Sequence, residues 1–100
     1  MTKKEQMAHF GYMTGEMRKT LFSKVDDYAN EDRLSNFKLA GAIAGGDART
    51  NCLNLIATKV ARLGVLINSD QEPNNESIED SVLDLANYSV LLSMIINENK

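Results

Sequence analysis

Residues 76–96, ESIEDSVLDLANYSVLLSMII, decide the fold class of this chain. Apolar side chains recur there every three or four residues, the spacing of one face of an α-helix. This seam comprises Ile78, Val82, Leu85, Ser89, Leu92 and Ile96. Acidic residues at the start of the segment favour a helix that begins at or beside Asn75, because the positive end of the helix dipole lies there.

The second half of this segment, Val90 to Ile96, is apolar almost all round. A helix of that kind is normally buried on every side. Three companion helices in a chain of 100 residues can hardly cover it completely. We therefore expect a second copy of the chain to pack there, most simply as a dimer.

Three further helices are predicted upstream. Thr2 and Glu5 have the spacing of a capping box, which opens a first helix. One face of that helix carries Met7, Phe10, Thr14, Met17 and Leu21. Ser35 is the predicted cap of a short helix through Ala44, which Gly45 and Gly46 end. Asp47 is the predicted cap of a third helix, whose buried seam comprises Leu53, Ile56, Val60, Leu63 and Ile67.

No segment alternates with period two between turn signals, so no strand is predicted. A chain of 100 residues is near the commonest domain size. The sequence therefore predicts a single all-α domain over residues 1–100, a small bundle of about four helices that oligomerisation completes.

Composition excludes several function classes. The net charge of −3 argues against a general nucleic-acid binder, although it permits a local basic pocket. No apolar run approaches the roughly 20 residues that span a bilayer, so no membrane partner is expected. Cys52 is the only cysteine and the first residues, Met1 to Gln6, do not resemble a signal peptide. We therefore expect a reducing, cytoplasmic location.

An acidic stripe marks the start of the last helix. Glu76, Asp80, Asp84 and Tyr88 follow one another at i, i+4 positions. Two carboxylates one turn apart can share a magnesium ion. The alternative, favoured by the residues alone, is that Glu76 and Asp80 stabilise the helix start while Asp84 pairs with a base.

Lys59 and Arg62 lie three residues apart, on one face of the third helix. They are able to hold a phosphate, Arg62 by its bidentate fork and Lys59 as a point charge. They are equally able to neutralise Asp80 and Asp84 across a helix interface. The two interpretations are compatible, because an ion-pair network that lines a cleft is also a polar ligand site.

Four segments together resemble a known family. KVDDYA at 24–29 resembles a K-x-x-D-Y-[GA] motif, and SNFK at 35–38 resembles the S-N-F-[KR] segment that follows it. TKVARL at 58–63 and ESIEDSVLDLANY at 76–88 resemble its two later helices. In order and spacing they are similar to the small helical domain of phages and their hosts called nucleotide modification associated domain, type one. Each motif alone is weak, whereas four in the right order are fairly specific.

That family is similar to the all-α nucleotide pyrophosphohydrolases of MazG type. The resemblance therefore implies binding of a nucleotide, with or without its hydrolysis, and stacking of a base on Tyr28 or Phe37. Carried over by position, the candidate nucleotide-binding residues are Lys24, Asp27, Tyr28, Asn36, Phe37, Lys38, Lys59, Arg62, Asp80 and Asp84.

The chain departs from MazG-type enzymes in its supply of carboxylates. Those enzymes hold magnesium with glutamate pairs on one helix and an E-x-x-D pair on the next. Here the helix that faces the acidic stripe offers Lys59 and Arg62, and no Glu occurs between Asp32 and Glu72. Hydrolysis would leave Glu76, Glu79, Asp80 and Asp84 as the magnesium ligands, a set poorly supplied for several metals.

The leading hypothesis is a viral or mobile-element protein that binds a nucleotide and self-associates through its last helix. By analogy with small bacteriophage proteins, it is an anti-defence sponge that sequesters a nucleotide immune signal in the infected host cytoplasm without cleaving it. This hypothesis assigns no catalytic residue and no cofactor. The alternatives are a magnesium-dependent nucleotide pyrophosphohydrolase and a structural interaction module.

Overall fold

The computed structural model describes residues 1–22, 32–69 and 75–98, without the side chains of 75–77. These ranges contain four α-helices: α1 Lys3–Phe22, α2 Ser35–Ile43, α3 Ala48–Ile67 and α4 Asn75–Glu98. The described residues contain no strand, which confirms the predicted all-α class. None of these helices has the length and apolar character that crossing a membrane requires.

Two of the predicted helix starts are confirmed. At α1, the Thr2 backbone N–H donates to Glu5 Oε1 at 3.3 Å, and the Glu5 N–H donates to Thr2 Oγ1 at 3.1 Å. At α3, the Thr50 N–H donates to Asp47 Oδ1 at 2.8 Å. That bond and the neighbouring Arg49 guanidinium lower the pKa of Asp47 to about 2. Each carboxylate therefore satisfies a backbone donor that a helix start leaves unpaired.

The predicted cap of α2 is wrong. Leu34, and not Ser35, precedes the first helical residue, and it makes no side-chain capping bond. Asp32 supplies the acceptor instead, because its Oδ1 receives the Leu34 N–H at 3.0 Å and turns the chain into α2. The other end agrees with the prediction: α2 stops at Ile43, and Gly45 has a left-handed φ of +79°, which glycine adopts readily.

α3 and α4 pack side by side and antiparallel. The Cys52 thiol donates to the Tyr88 carbonyl oxygen at 3.4 Å, and Lys59 Nζ lies 2.9 Å from Asp84 Oδ2. Cys52 is fully buried, and burial raises the pKa of its thiol. Together with Leu34 and Ile95 it forms the buried core of the described residues. We call the line of contact through Cys52, Lys59, Asp84 and Tyr88 the contact line.

α1 contributes little to this core. It packs mainly along α4, and none of its residues is buried. Its predicted apolar face is half-buried only in its second half, because Met7 and Phe10 are 65% and 69% exposed.

The predicted seams of α3 and α4 are buried only in part, since Ile56 and Leu92 pack against the core but other members do not. Leu53, Val60 and Ile67 are 56%, 53% and 64% exposed, whereas Ser81 and Asn87 of α4 are buried. The helices meet along the contact line, where an ion pair and a thiol–carbonyl contact join them. The exposed residues of the α3 seam lie to one side of that line.

The predicted all-round burial of Val90–Ile96 is not found within the chain. Ile95 is 3% exposed, but Met94 and Ile96 are 39% and 42% exposed. The second copy expected against this half of α4 stays a prediction.

Candidate functional site

A groove of about 490 Å³ lies on one side of the α3–α4 pair, where α2 and the end of α1 enclose it. Its volume is within the range of about 300–1,000 Å³ that is typical of small-molecule sites. Its polar and aromatic lining consists of Arg33, Asn36, Phe37, Asn51 and Tyr88. Amides, aromatic rings and a guanidinium are suited to a planar, hydrogen-bonding ligand. We call this cavity the α2–α4 groove.

The groove leads directly to the Lys59–Asp84 ion pair. Leu55 of α3 and Tyr88 of α4 line the groove. Lys59 lies four residues after Leu55, and Asp84 lies four residues before Tyr88. The ion pair is therefore about 6 Å, one helical turn, further along the two helices. The two side chains are 22% and 37% exposed. This half-buried ammonium is therefore accessible, and its carboxylate partner holds it in place.

Arg62 and Asp80 lie one turn beyond that ion pair. An α-helix turns about 100° per residue, so Arg62 lies about 80° from Cys52 around the axis of α3. Asn51 and Leu55 lie in nearly the same direction, which places Arg62 on the groove side. Both Arg62 and Asp80 are exposed. Arg62 forms no ion pair with any residue that the structure describes. Its guanidinium is thus available to an anion at the open end of the groove.

The sequence-predicted residues are distributed unevenly. Asn36 and Phe37 line the α2–α4 groove, and Phe37 also packs on the core. Lys38 lies elsewhere: its Nζ is 2.6 Å from Asp32 Oδ2 and 2.5 Å from Glu98 Oε1. The bonds to these carboxylates raise the pKa of Lys38, which points to a structural tie between α2 and the end of α4.

Three predicted residues, Lys24, Asp27 and Tyr28, lie outside the described residues. Their part in a site stays a prediction. The predicted charge neutralisation across the helix interface is confirmed for Lys59 with Asp84.

Three groove residues were not among the sequence candidates: Arg33, Asn51 and Tyr88. Arg33 closes one end, since its Nη2 donates to the Leu21 carbonyl oxygen at 3.1 Å and its guanidinium lies 5.9 Å from the centre of the Phe22 ring. Asn51 stands two turns before Lys59, and Tyr88 stands one turn after Asp84. Asn51 and Tyr88 could have been identified from their helical spacing to Lys59 and Asp84.

The acidic residues do not converge on a metal geometry within the described ranges, where no three His, Cys, Asp or Glu side chains lie close enough to share an ion. Glu79 and Asp80 line a separate pocket of about 190 Å³ between α1 and α4, together with His9 and Glu16. Asp84 is held by Lys59 instead. The side chain of Glu76, the fourth candidate ligand, is outside the described residues.

Comparisons with known proteins leave the family open: no family model matches the chain, and no curated protein or solved structure is found to be similar to it. The resemblance to the nucleotide modification associated domain therefore stays a prediction. What the groove is able to do must be argued from its own residues.

Proposed function

We propose that the protein binds a nucleotide in the α2–α4 groove and holds it without cleaving it. The observation that carries this proposal is the continuity between an aromatic, amide-lined groove and a half-buried lysine one helical turn away. A nucleotide has the same order of parts, a planar base followed by a sugar and an anionic phosphate.

The base is assigned to the enclosed end of the groove. The rings of Phe37 and Tyr88 offer apolar faces on which any base stacks. The amide groups of Asn36 and Asn51 both donate and accept hydrogen bonds, so they are able to read the polar edge of a base. The phosphate is assigned to Lys59 and Arg62, at the open end.

Charge balance at the open end favours a ligand with few phosphates. Lys59 and Arg62 supply two positive charges, and Asp80 and Asp84 on the facing helix supply two negative ones. A triphosphate placed there would meet carboxylate repulsion with no net positive field to offset it. A nucleoside monophosphate or a cyclic nucleotide needs only the two cations, and the carboxylates then accept bonds from sugar hydroxyls.

Binding without cleavage is supported by the chemistry of the groove lining. Its described residues include no histidine, and Cys52 is buried on the contact line, where burial keeps its thiol protonated. The four-segment resemblance extends the proposal to a phage or mobile-element protein in the host cytoplasm. There, retention of a nucleotide signal would suffice for an anti-defence sponge.

One experiment separates this function from its rivals. The protein is incubated with linear and cyclic nucleotides, with and without magnesium, washed free of unbound ligand and denatured, and the released material is chromatographed. We expect a nucleotide retained and released intact, with monophosphates or cyclic nucleotides retained above triphosphates. Magnesium-dependent products would instead identify a pyrophosphohydrolase. Neither retention nor turnover would leave a structural interaction module.

A further inference from the structure

The separate pocket between α1 and α4 is a second candidate site, which we call the α1–α4 pocket. Four residues on one face of α1 line it, namely His9, Tyr12, Met13 and Glu16, and the first turns of α4 form the opposite wall. Its volume is about 190 Å³. This is below the range of about 300–1,000 Å³ for drug-sized ligands, so the pocket suits a smaller molecule.

The charge of this pocket selects a cation. Glu16, Glu79 and Asp80 are among its described lining residues, which include no lysine or arginine. None of the three carboxylates forms an ion pair or a hydrogen bond with a residue that the structure describes. Glu16 is also half-buried. A carboxylate that is partly withdrawn from water without a counter-charge favours a positively charged ligand.

The carboxylates lie towards opposite ends of the pocket. Residues between 9 and 16 line it together with residues between 78 and 83, and further along the same two helices Leu21 meets Leu91. The two helices therefore run in the same direction. Glu16 is the last of the α1 lining residues, so it lies at the end towards the middle of α4, whereas the acidic pair of α4 lies nearer the start of that helix.

The space between the two acidic ends is apolar and aromatic. Met13 and Leu83 line it and are half-buried. The Tyr12 ring lies beside them, with its centre 6.0 Å from that of the His9 ring. Methylene groups pack on such side chains, and a cation is drawn to the face of a tyrosine ring. The pocket thus has a negative, an apolar and again a negative section.

A buried polar atom marks the inner end of this pocket. Asn87 follows Leu83 by one helical turn and lies about 40° from it around the axis of α4. It is 6% exposed, and its Oδ1 accepts no hydrogen bond from any residue that the structure describes. A buried acceptor normally has a partner, and an N–H donor of a ligand beside Glu16 would supply one.

We propose that the α1–α4 pocket binds a linear alkyl diamine. One ammonium group pairs with Glu79 and Asp80, the other with Glu16 and the Asn87 Oδ1, and the alkyl chain packs between them. A metal ion fits less well, because within the described ranges no three acidic, histidine or cysteine side chains lie close enough to share it. A single basic side chain of another protein would satisfy only one end. The site does not depend on nucleotide binding in the α2–α4 groove.

Isothermal titration calorimetry of the full chain with 1,4-diaminobutane tests this site. We expect saturable, one-to-one binding at physiological salt, where attraction between exposed charges is largely screened. 1-Aminobutane has the same chain but only one ammonium group, so it should bind about 10-fold more weakly or worse. No saturable binding of the diamine would overturn the proposal, as would equal binding of the two amines.

A pair of glutamates on α1 tests the location. Glu16→Gln keeps the shape of the side chain but removes its charge, and should weaken diamine binding by about 10-fold or more. Glu5→Gln is the matched control, since it removes one charge from the same helix outside the pocket lining, and Gln also serves in a capping box. Equal affinities of the two variants would contradict a site at Glu16.

The buried amide provides a further variant. Asn87→Leu has a similar size but no acceptor, and should weaken diamine binding about 10-fold. The midpoint of thermal unfolding of the ligand-free protein should not fall, because no hydrogen bond to Oδ1 is lost. An affinity that Asn87→Leu leaves unchanged would overturn the assignment of this oxygen to the ligand. Glu16→Gln, at a less buried position, decides the location if Asn87→Leu fails to fold.

Discussion

The two sides of the α3–α4 pair differ in almost every respect, although the same two helices build both. The groove side carries amides, aromatic rings and charges, and α2 and the end of α1 enclose it. The opposite side presents Leu53, Val60 and Ile67 of α3, which are 53% to 64% exposed. On each helix, the residues of the two sides lie about 80° from the contact line, in opposite directions around the helix axis. A helix therefore encodes more than one face, and its most regular apolar seam need not be the one that its own chain buries.

The proposed function concerns only one of these two sides. Ligand binding needs fixed polar groups in a concave site, which the groove side would supply. The contact line separates the two sides, so each side can be altered alone.

The largest effect is expected in the buried core, which supports both sides. Ile95 is 3% exposed, so Ile95→Ala should lower the free energy of unfolding by about 2–5 kcal/mol through lost burial and a cavity. The matched control is Ile96→Ala, at a site 42% exposed. Urea unfolding of both variants measures the difference, and equal losses would contradict the assigned core.

The next effect concerns the groove side alone. Arg62→Ala should abolish detectable nucleotide retention, a loss of about 10- to 100-fold, because a charge-assisted contact to phosphate disappears. Arg49→Ala is the control, since Arg49 Nη2 lies 2.9 Å from Asp47 Oδ2 in the first turn of the same helix. Equilibrium dialysis compares the two variants, and an unchanged affinity for Arg62→Ala would remove it from the site.

A smaller loss is expected from the base-stacking surface. Tyr88→Leu keeps much of the apolar packing on the core but removes the aromatic ring, and should weaken binding about 10-fold. Tyr12→Leu on α1 provides the control, because Tyr12 is 56% exposed and lies outside the groove. If both variants bind like the wild type, the base does not stack on Tyr88.

The smallest effect is a pH response at the start of α3, which both sides share. The pKa of Asp47 is lowered from 3.8 to about 2, so its capping contribution is present above pH 4 and is lost as the pH falls towards 2. Hydrogen exchange at the Thr50 amide should accelerate over that window. Asp47→Asn keeps a capping oxygen and should remove the pH response; an unchanged response would assign it to another group.

Much of the fold could be predicted from the sequence, but the side on which α3 and α4 meet could not. Local signals predicted the four helices, the capping box at Thr2, the cap at Asp47 and the stop at Gly45, because each depends on neighbouring residues. Hydrophobic spacing placed Leu53, Val60 and Ile67 in the interior, whereas these residues are more than half exposed. It carries no information about which side of a helix meets another helix.

The candidate site could also be predicted only in part. Lys59 and Asp84 were identified and their pairing was foreseen, since both follow from helical spacing on two helices. The role of Arg33 depends on how α2 and the end of α1 lie against α3. No local pattern carries that information.

The most direct test of the division between the two sides is a chemical-shift map of the isotope-labelled protein titrated with a retained nucleotide. The account predicts that amide signals of Asn51, Lys59 and Arg62 move with the titration, whereas those of Leu53, Val60 and Ile67 stay in place. Shifts centred on Leu53, Val60 and Ile67, with the groove residues unaffected, would contradict it.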